Sequence, residues 1–311
     1  MFDGLRQLFG TGNLPTVVSD SPYVRKQFAA QGFTVLTPHS IGSRETNAPH
    51  EVLFVPAVPS VHPNPELLAV LKDSAVLVVP LLAFSCSDRD VDYLVRRLKS
   101  LCFETACKKN LQLIEFVQHA RKPITVESVG CSLTVELGDN VDVMVPKISP
   151  EISAGEWISI IQYLETGLVP NSKNSSFLVN GTLSCDGIVV AHHLHTHFKS
   201  GPIASEAWRL FKDLRLNGQF PLVIEIENSK LQSIVTNVGS GLAESIFILT
   251  DEIMRGNLTE VAFAALPMSD ETDWSLNSQL NEPAGGVHVG IGSGENAAHI
   301  DFISPQATFF G

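Results

Sequence analysis

AVLVVPLLAF (75–84) is the most apolar run in the chain. Its length and its content of β-branched residues read as a strand buried on both faces, as in parallel sheets. Upstream, strands and helices alternate. LPTVVS (14–19), FTVLTP (33–38) and EVLFVPAV (51–58) are strand-like. SPYVRKQFAAQG (21–32) reads as a helix capped by Ser21, started by Pro22 and stopped by Gly32, and NPELLAVLKDS (64–74) as a short one with Pro65 at its start. Downstream, residues 87–120 form one long helical stretch, with Val91, Leu94, Val95, Leu98, Leu101 and Cys102 on one face and basic residues on another. This βαβα order predicts an open, Rossmann-like α/β domain over residues 1–125. No glycine fingerprint follows its first strand, so a dinucleotide site is not supported.

Beyond about residue 123 the texture changes. SLTVELGDNVDVMVPK (132–147) reads as a hairpin turning at Gly138–Asp139–Asn140, and SSFLVNGTLSCDGIVVAHHLHTHF (175–198) as a strand pair turning at Asn180–Gly181. A helix is predicted at 203–215, followed by PLVIEIEN (221–228), which alternates apolar and acidic residues as a half-exposed strand does. Residues 126–311 are thus predicted to form a β-rich α+β domain.

Hydrophobic residues make up 44% of the 311 and charged residues 17%, a globular composition. No apolar run reaches transmembrane length, and MFDGLRQLFGTG lacks the basic start and apolar stretch of a signal peptide. The expectation is a cytoplasmic protein with no membrane partner. Asp and Glu total 33 against 21 Lys and Arg, a net charge of -12 that repels phosphate backbones, so no nucleic-acid partner is expected. The five cysteines form no CxxC pair, and the reading is free, mostly buried thiols.

GGVHVGIGSGENAAHIDFI (285–303) carries the chemistry. In a strand, residues two apart share a face, so His299 and Asp301 point one way while Ile300 and Phe302 point to the core. Val287, Val289 and Ile291 likewise leave His288 and Gly290 on the opposite face. The glycine-rich gap of 289–298 lets the two strands turn and bring both imidazoles to the carboxylate. Two histidines and a carboxylate suit Zn²⁺ or Fe²⁺, and Co²⁺ or Mn²⁺ are compatible with the same donors. Glu260 and Glu282 lie in apolar surroundings where an unpaired carboxylate is costly, so they are further candidate ligands and, in a hydrolase, the catalytic carboxylates. AHHLHTHF (191–198) would place His193, His195 and His197 on one strand face, either as a further metal site or as a solvated polar stripe. Neither a Ser/His/Asp nor a Cys/His arrangement is anchored by a motif.

The order GNLTE, NEP, GGVHVGIG, HIDFI resembles the C-terminal metal-binding signature of the aminopeptidase T/aminopeptidase S metallopeptidases. Their relative, the iron-dependent dihydroxypyridine ring-cleaving dioxygenase, shares it. The resemblance implies ligands at Glu260, Glu282, His288, His299 and Asp301. It adds Glu156, in the GE of ISAGEW, with Glu165 as the alternative. It also implies a peptide or small aromatic substrate and a homodimer. The chain departs from that pattern in a shortened loop between the histidines, in Pro283 after the second acid, and in having no well-placed tyrosine among Tyr23, Tyr93 and Tyr163. Three functions follow as expectations: a metallohydrolase of a peptide or amide bond, a mononuclear Fe²⁺ dioxygenase, or a non-catalytic peptide-binding protein on a degenerate peptidase fold, serving a biosynthetic pathway.

Overall fold

The computed structural model of the protein describes residues 2–42, 48–57, 65–84, 86–138, 141–144, 146–169, 177–191, 201–252, 254–267, 270–295 and 297–311. Helices and three sheets mix as the α/β reading requires.

The first sheet contains β1 (Thr16–Val18), β2 (Val35–Leu36), β3 (Glu51–Phe54) and β4 (Ala75–Val78), paired in parallel in the order β2-β1-β3-β4. Alternation sends Val17, Leu53 and Leu77 into the main core and Val18, Val52, Phe54 and Val76 into a second cluster on the opposite face. Both faces are dry, which is why the strands read as continuous apolar runs. Helices α1 (Asp3–Phe9), α2 (Pro22–Ala30), α3 (Pro38–Gly42) and α4 (Pro65–Val70) belong to this region. The Ser21 side chain accepts the Val24 N–H at the start of α2, as the sequence signals.

The predicted long helix is two helices, α5 (Asp88–Ser100) and α6 (Phe103–His119). Leu101 and Cys102 between them are extended, and the Leu101 carbonyl lies so close to Gly4 of α1 that a Cβ there would sit 2.4 Å from its oxygen. A capping box of Ser87 and Asp90 starts α5.

The second half adds β5 (Ile124–Ser128), β6 (Cys131–Leu137), β7 (Asp142–Val143), β8 (Trp157–Ser159), α7 (Ile161–Leu164), β9 (Glu165–Val169), β10 (Phe177–Cys185) and β11 (Gly187–Ala191). It continues with α8 (Gly201–Leu216), β12 (Leu222–Glu227), β13 (Lys230–Thr236), α9 (Ala243–Phe247), β14 (Leu258–Ala264), β15 (Val287–Ile291), β16 (His299–Ser304) and β17 (Thr308–Phe310). The second sheet runs β13-β12-β10-β6-β5-β17 and the third β11-β16-β15-β14-β9-β7, both antiparallel. In β12, buried and exposed residues alternate as predicted. Past the boundary expected near residue 125, β8 returns to pair in parallel with β4 and forms the edge of the first sheet.

Two predicted hairpins are corrected. β6 pairs with β5 and β10, whereas β7 lies in the third sheet, so 132–147 joins two sheets. Asn180–Gly181 lies inside β10, and the bend comes at Asp186, where the chain crosses from the second sheet to the third. Gly181, at φ +120°, is needed for close approach: a Cβ would meet the Ser132 carbonyl oxygen at 2.3 Å. The cysteines are also less hidden than expected. All five are free, but only Cys107 and Cys185 are buried. Among the described residues no helix is long and apolar enough to cross a membrane.

Candidate metal centre

The site lies on one face of the third sheet. Cross-strand register aligns Glu260 of β14, Gly290 of β15 and Asp301 of β16 in one row, and Gly167, Ala262, His288 and Ile303 in the next. On the opposite face Val261, Phe263, Val287, Val289, Ile291, Ile300 and Phe302 enter the core, so the two-residue period divides chemistry from packing. A register shift between Leu258 and Glu260 sets Glu260 opposite Gly290. Two glycines leave the room these side chains occupy. A Cβ on Gly290 would lie 2.8 Å from Asp301 Oδ1, and one on Gly167 2.8 Å from Glu260 Oε1.

Glu260, Glu282, His288 and Asp301 each offer a ligand atom, all within 4.8 Å of one another, and all four residues are buried. His288 Nε2 lies 3.8 Å from Glu260 Oε1 and 3.9 Å from Glu282 Oε1. His299 Nε2 lies 2.9 Å from Asp301 Oδ1 and 3.8 Å from Glu260 Oε2, so Glu260 turns one oxygen to each imidazole. The Nδ1–H of His299 donates to the Gly292 carbonyl at 2.7 Å, which directs Nε2 into the cluster. Thr259 donates to the same carbonyl from the bulge.

Glu282 arrives from a loop. Asn281 donates to the Asp273 and Leu276 carbonyls and accepts the Tyr93 hydroxyl of α5. Asn277 ties the same loop to Leu82 and Val190, and Arg89 of α5 pairs with Asp273 at 2.7 Å. The first half of the chain thereby holds the loop that delivers a ligand to the second.

Neither Glu156 nor its alternative Glu165 is among the four residues whose ligand atoms converge. Glu156 is engaged elsewhere: Lys147 reaches it at 3.0 Å and the Ser153 N–H at 2.7 Å, and these partners hold its carboxyl below the ordinary range. Glu165, the alternative, lies on the Nδ1 side of His288 at 3.9 Å, almost fully buried. The signal for it was its position two residues before Gly167 at the start of a buried strand. The predicted His193, His195 and His197 stripe lies outside the described residues.

The electrostatics explain what such a cluster needs. Four carboxylates face two imidazoles, and none of the ion pairs among the described residues brings a lysine or arginine to them. Burial pushes Glu165 up to about 8, with Glu260 and Asp301 adding to the shift against the opposing pull of His288. Burial likewise raises Glu282 well above the carboxylate range, and Glu165 and Asp301 add to it. Burial alone would lower both imidazoles. The surrounding carboxylates outweigh it, raising His288 well above its ordinary value and His299, chiefly through Asp301, to about 10. Both oxygens of Glu165, Oε1 of Glu260 and Nε2 of His288 are buried without a hydrogen-bond partner. Buried orphans of this number are costly unless a cation meets them. The oxygen and imidazole donors fit a divalent ion of the Zn, Fe, Mn or Co kind.

Fold and site together define a class: an α/β protein with a buried carboxylate–imidazole cluster fit for metal, on an architecture that known enzymes share. Wild-type AmpT from Thermus thermophilus has the fold at a TM-score of 0.50 and 12% identity, over 99% of this chain and 92% of that one. The 2,5-dihydroxypyridine dioxygenase from Pseudomonas putida KT2440 has it at 0.51 and 12%, over the same shares of each chain. No curated protein matches the chain in sequence. Residues 12–310 match the family of the Crocagin biosynthetic protein CgnE/B, and the chain belongs to that family. The resemblance read from the motifs therefore holds at the level of fold, while the family is a biosynthetic one.

Proposed function

We propose that this protein is a metal-dependent hydrolase acting on a peptide or amide bond in a biosynthetic pathway of the crocagin type. One observation carries the reading: the cluster has more donors than one ion needs. His288, His299 and Asp301 alone would satisfy a mononuclear iron site, yet Glu260 and Glu282 converge with His288 and Asp301, and His299 adjoins them through Asp301 and Glu260. Five such donors would suffice to hold a pair of ions, and Glu260 turns one oxygen toward each histidine. Ions so held supply Lewis acidity and lower the pKa of a water enough to make it a nucleophile near neutral pH.

The chain's own residues divide the remaining work. The Gly292 carbonyl and Asp301 orient His299, and Glu165 lies behind His288. Glu282, delivered by a loop, would hold the proton that hydrolysis moves to the leaving nitrogen on the oxygen it does not turn to His288. Burial of the four converging residues keeps bulk water away.

A second reading, binding of a peptide without turnover, draws support from the surroundings of the cluster. No described lysine or arginine pairs with it. Tyr23 is exposed, the Tyr93 hydroxyl is held by Asn281, and Tyr163 packs edge-on against Phe103. Among the described residues, no lysine, arginine or tyrosine is thus placed to stabilise a tetrahedral anion.

The deciding measurement is elemental analysis of the untagged protein beside a His299→Ala/Asp301→Ala variant, followed by peptide hydrolysis assays. About two ions per chain, lost in the variant and accompanied by hydrolysis, is the expected result. About one iron per chain with oxygen-dependent ring cleavage would replace the hydrolase with a dioxygenase. Full metal, retained peptide affinity and no hydrolysis would establish the second reading, and no metal after repletion would end both metal-based ones.

A further inference from the structure

Helix α5 carries a feature that the metal centre does not use. Arg89, Asp92, Arg96 and Lys99 are exposed and follow one another at helical spacing, so they share one face. With Gln31 from the end of α2 they line a groove of about 500 Å³. Three cations and one acid line it; with Arg89 paired to Asp273, Arg96 and Lys99 stand against Asp92 on a protein whose total is -12.

The cations are held by neutral groups more than by acids. The Arg96 guanidinium lies 5.9 Å from the centre of the Tyr93 ring. Lys99 donates to Gln31 Oε1 at 2.7 Å and sits 5.2 Å from the Phe2 ring centre. Among the described residues, the one ion pair on this face is that of Arg89 with Asp273. Aromatic and amide partners fix a cation's position without cancelling its charge, which leaves Arg96 and Lys99 as ordered donors for carboxylates.

The groove is also wired to the metal centre. Tyr93, beneath Arg96, gives its hydroxyl to Asn281, the residue before Glu282, and Arg89 holds Asp273 at the start of the same loop. A chain lying along α5 would run beside the loop that supplies a metal ligand.

We propose that this groove docks an acidic segment of the peptide on which the metal centre acts. The proposal rests on the peptide reading of that centre. An extended peptide with spaced Asp or Glu residues matches ordered cations strung along a helix face, and Arg96 offers the planar fork that carboxylates take in two parallel hydrogen bonds.

The test is fluorescence anisotropy with the full metal-loaded chain and a labelled glutamate-rich peptide at low ionic strength. Saturable binding is expected, weakened about tenfold or more by Arg96→Glu with Lys99→Glu, less by Arg96→Gln with Lys99→Gln, and absent for the lysine-rich counterpart. Unchanged melting of both variants guards against misfolding, since both side chains are exposed. Absence of saturable binding, or equal affinity in the charge-reversed variant, would overturn the proposal. So would tighter binding of a single-stranded oligonucleotide of matched charge. Metal content measured on the same preparations separates the two claims: metal present without peptide binding ends only the groove, and peptide binding without metal ends only the hydrolase.

Discussion

The first and third sheets bury their strands on both faces and reach opposite results. In the first, Val18, Val52 and Val76 fill one side and Val17, Leu53 and Leu77 the other, so burial stabilises throughout. In the third, the core side is equally apolar, but the other side holds Glu165, Glu260, His288 and Asp301 at comparable depth. Taking carboxylates from water costs free energy unless a cation or hydrogen bonds meet them. The contrast teaches that depth alone says little about function. What marks the candidate face is depth combined with buried atoms, such as both oxygens of Glu165 and Nε2 of His288, that have no hydrogen-bond partner.

The sharpest way to break that contrast is to fill Gly290. Alanine there would put a methyl 2.8 Å from Asp301 Oδ1 and 2.9 Å from His299 Cε1, so Gly290→Ala is expected to lose nearly all bound metal while far-ultraviolet dichroism stays native. Retained metal would mean that the ligands converge elsewhere. Leu53→Ala, in the first sheet, is the mirror test: a loss of about 2–5 kcal/mol in denaturant unfolding with metal content unchanged. Metal loss in step with stability would show that the two sheets are not separable in this way.

Proton linkage sharpens the comparison further. Glu165, raised to about 8, and His299, raised to about 10, both bind protons more tightly folded than unfolded. The metal-free protein should therefore lose stability as pH climbs, through about 8 for Glu165 and through about 10 for His299. Melting midpoints of chelator-treated protein are expected to fall from about pH 6 to about pH 9, and divalent metal should flatten the decline because it replaces the protons. A midpoint that rises over that range would contradict the assigned shifts.

Smaller effects test the bridge between the halves. Asn281→Ala removes the buried link between Tyr93 and the ligand loop, and should cost about 1–3 kcal/mol and weaken metal retention under chelator challenge. Arg89→Gln cuts an exposed ion pair and should change stability by less than about 1 kcal/mol with metal content intact.

Much of the site was legible because strand alternation is local. HID fixes His299 and Asp301 on one side, and GGVHVGIG does the same for His288 and Gly290. Glu282 depends on a loop pinned from α5 through Asn281, which is 188 residues from Tyr93, and no local pattern encodes that contact. The separate placement of Glu156 and Glu165 has a similar cause. Both sit near a strand start, and only the pairing of β9 with β14 shows which faces the histidines. Asn180–Gly181 misled for a physical reason, since Asn180 serves a neighbouring loop through the Asn228 N–H while Gly181 admits a backbone. The parallel strands of the first sheet were readable because two-sided burial leaves an uninterrupted apolar signature.

The late return of β8 to the first sheet has a consequence for how the protein is made. While the chain is being synthesised, the outer edge of β4 stays open until Trp157–Ser159 emerges, although β5, β6 and β7 in between belong to other sheets. An open strand edge is a template for pairing with a neighbouring chain, so this interval exposes the growing molecule to misassociation. A fragment cut near residue 125 would keep that edge open permanently, however complete its helices.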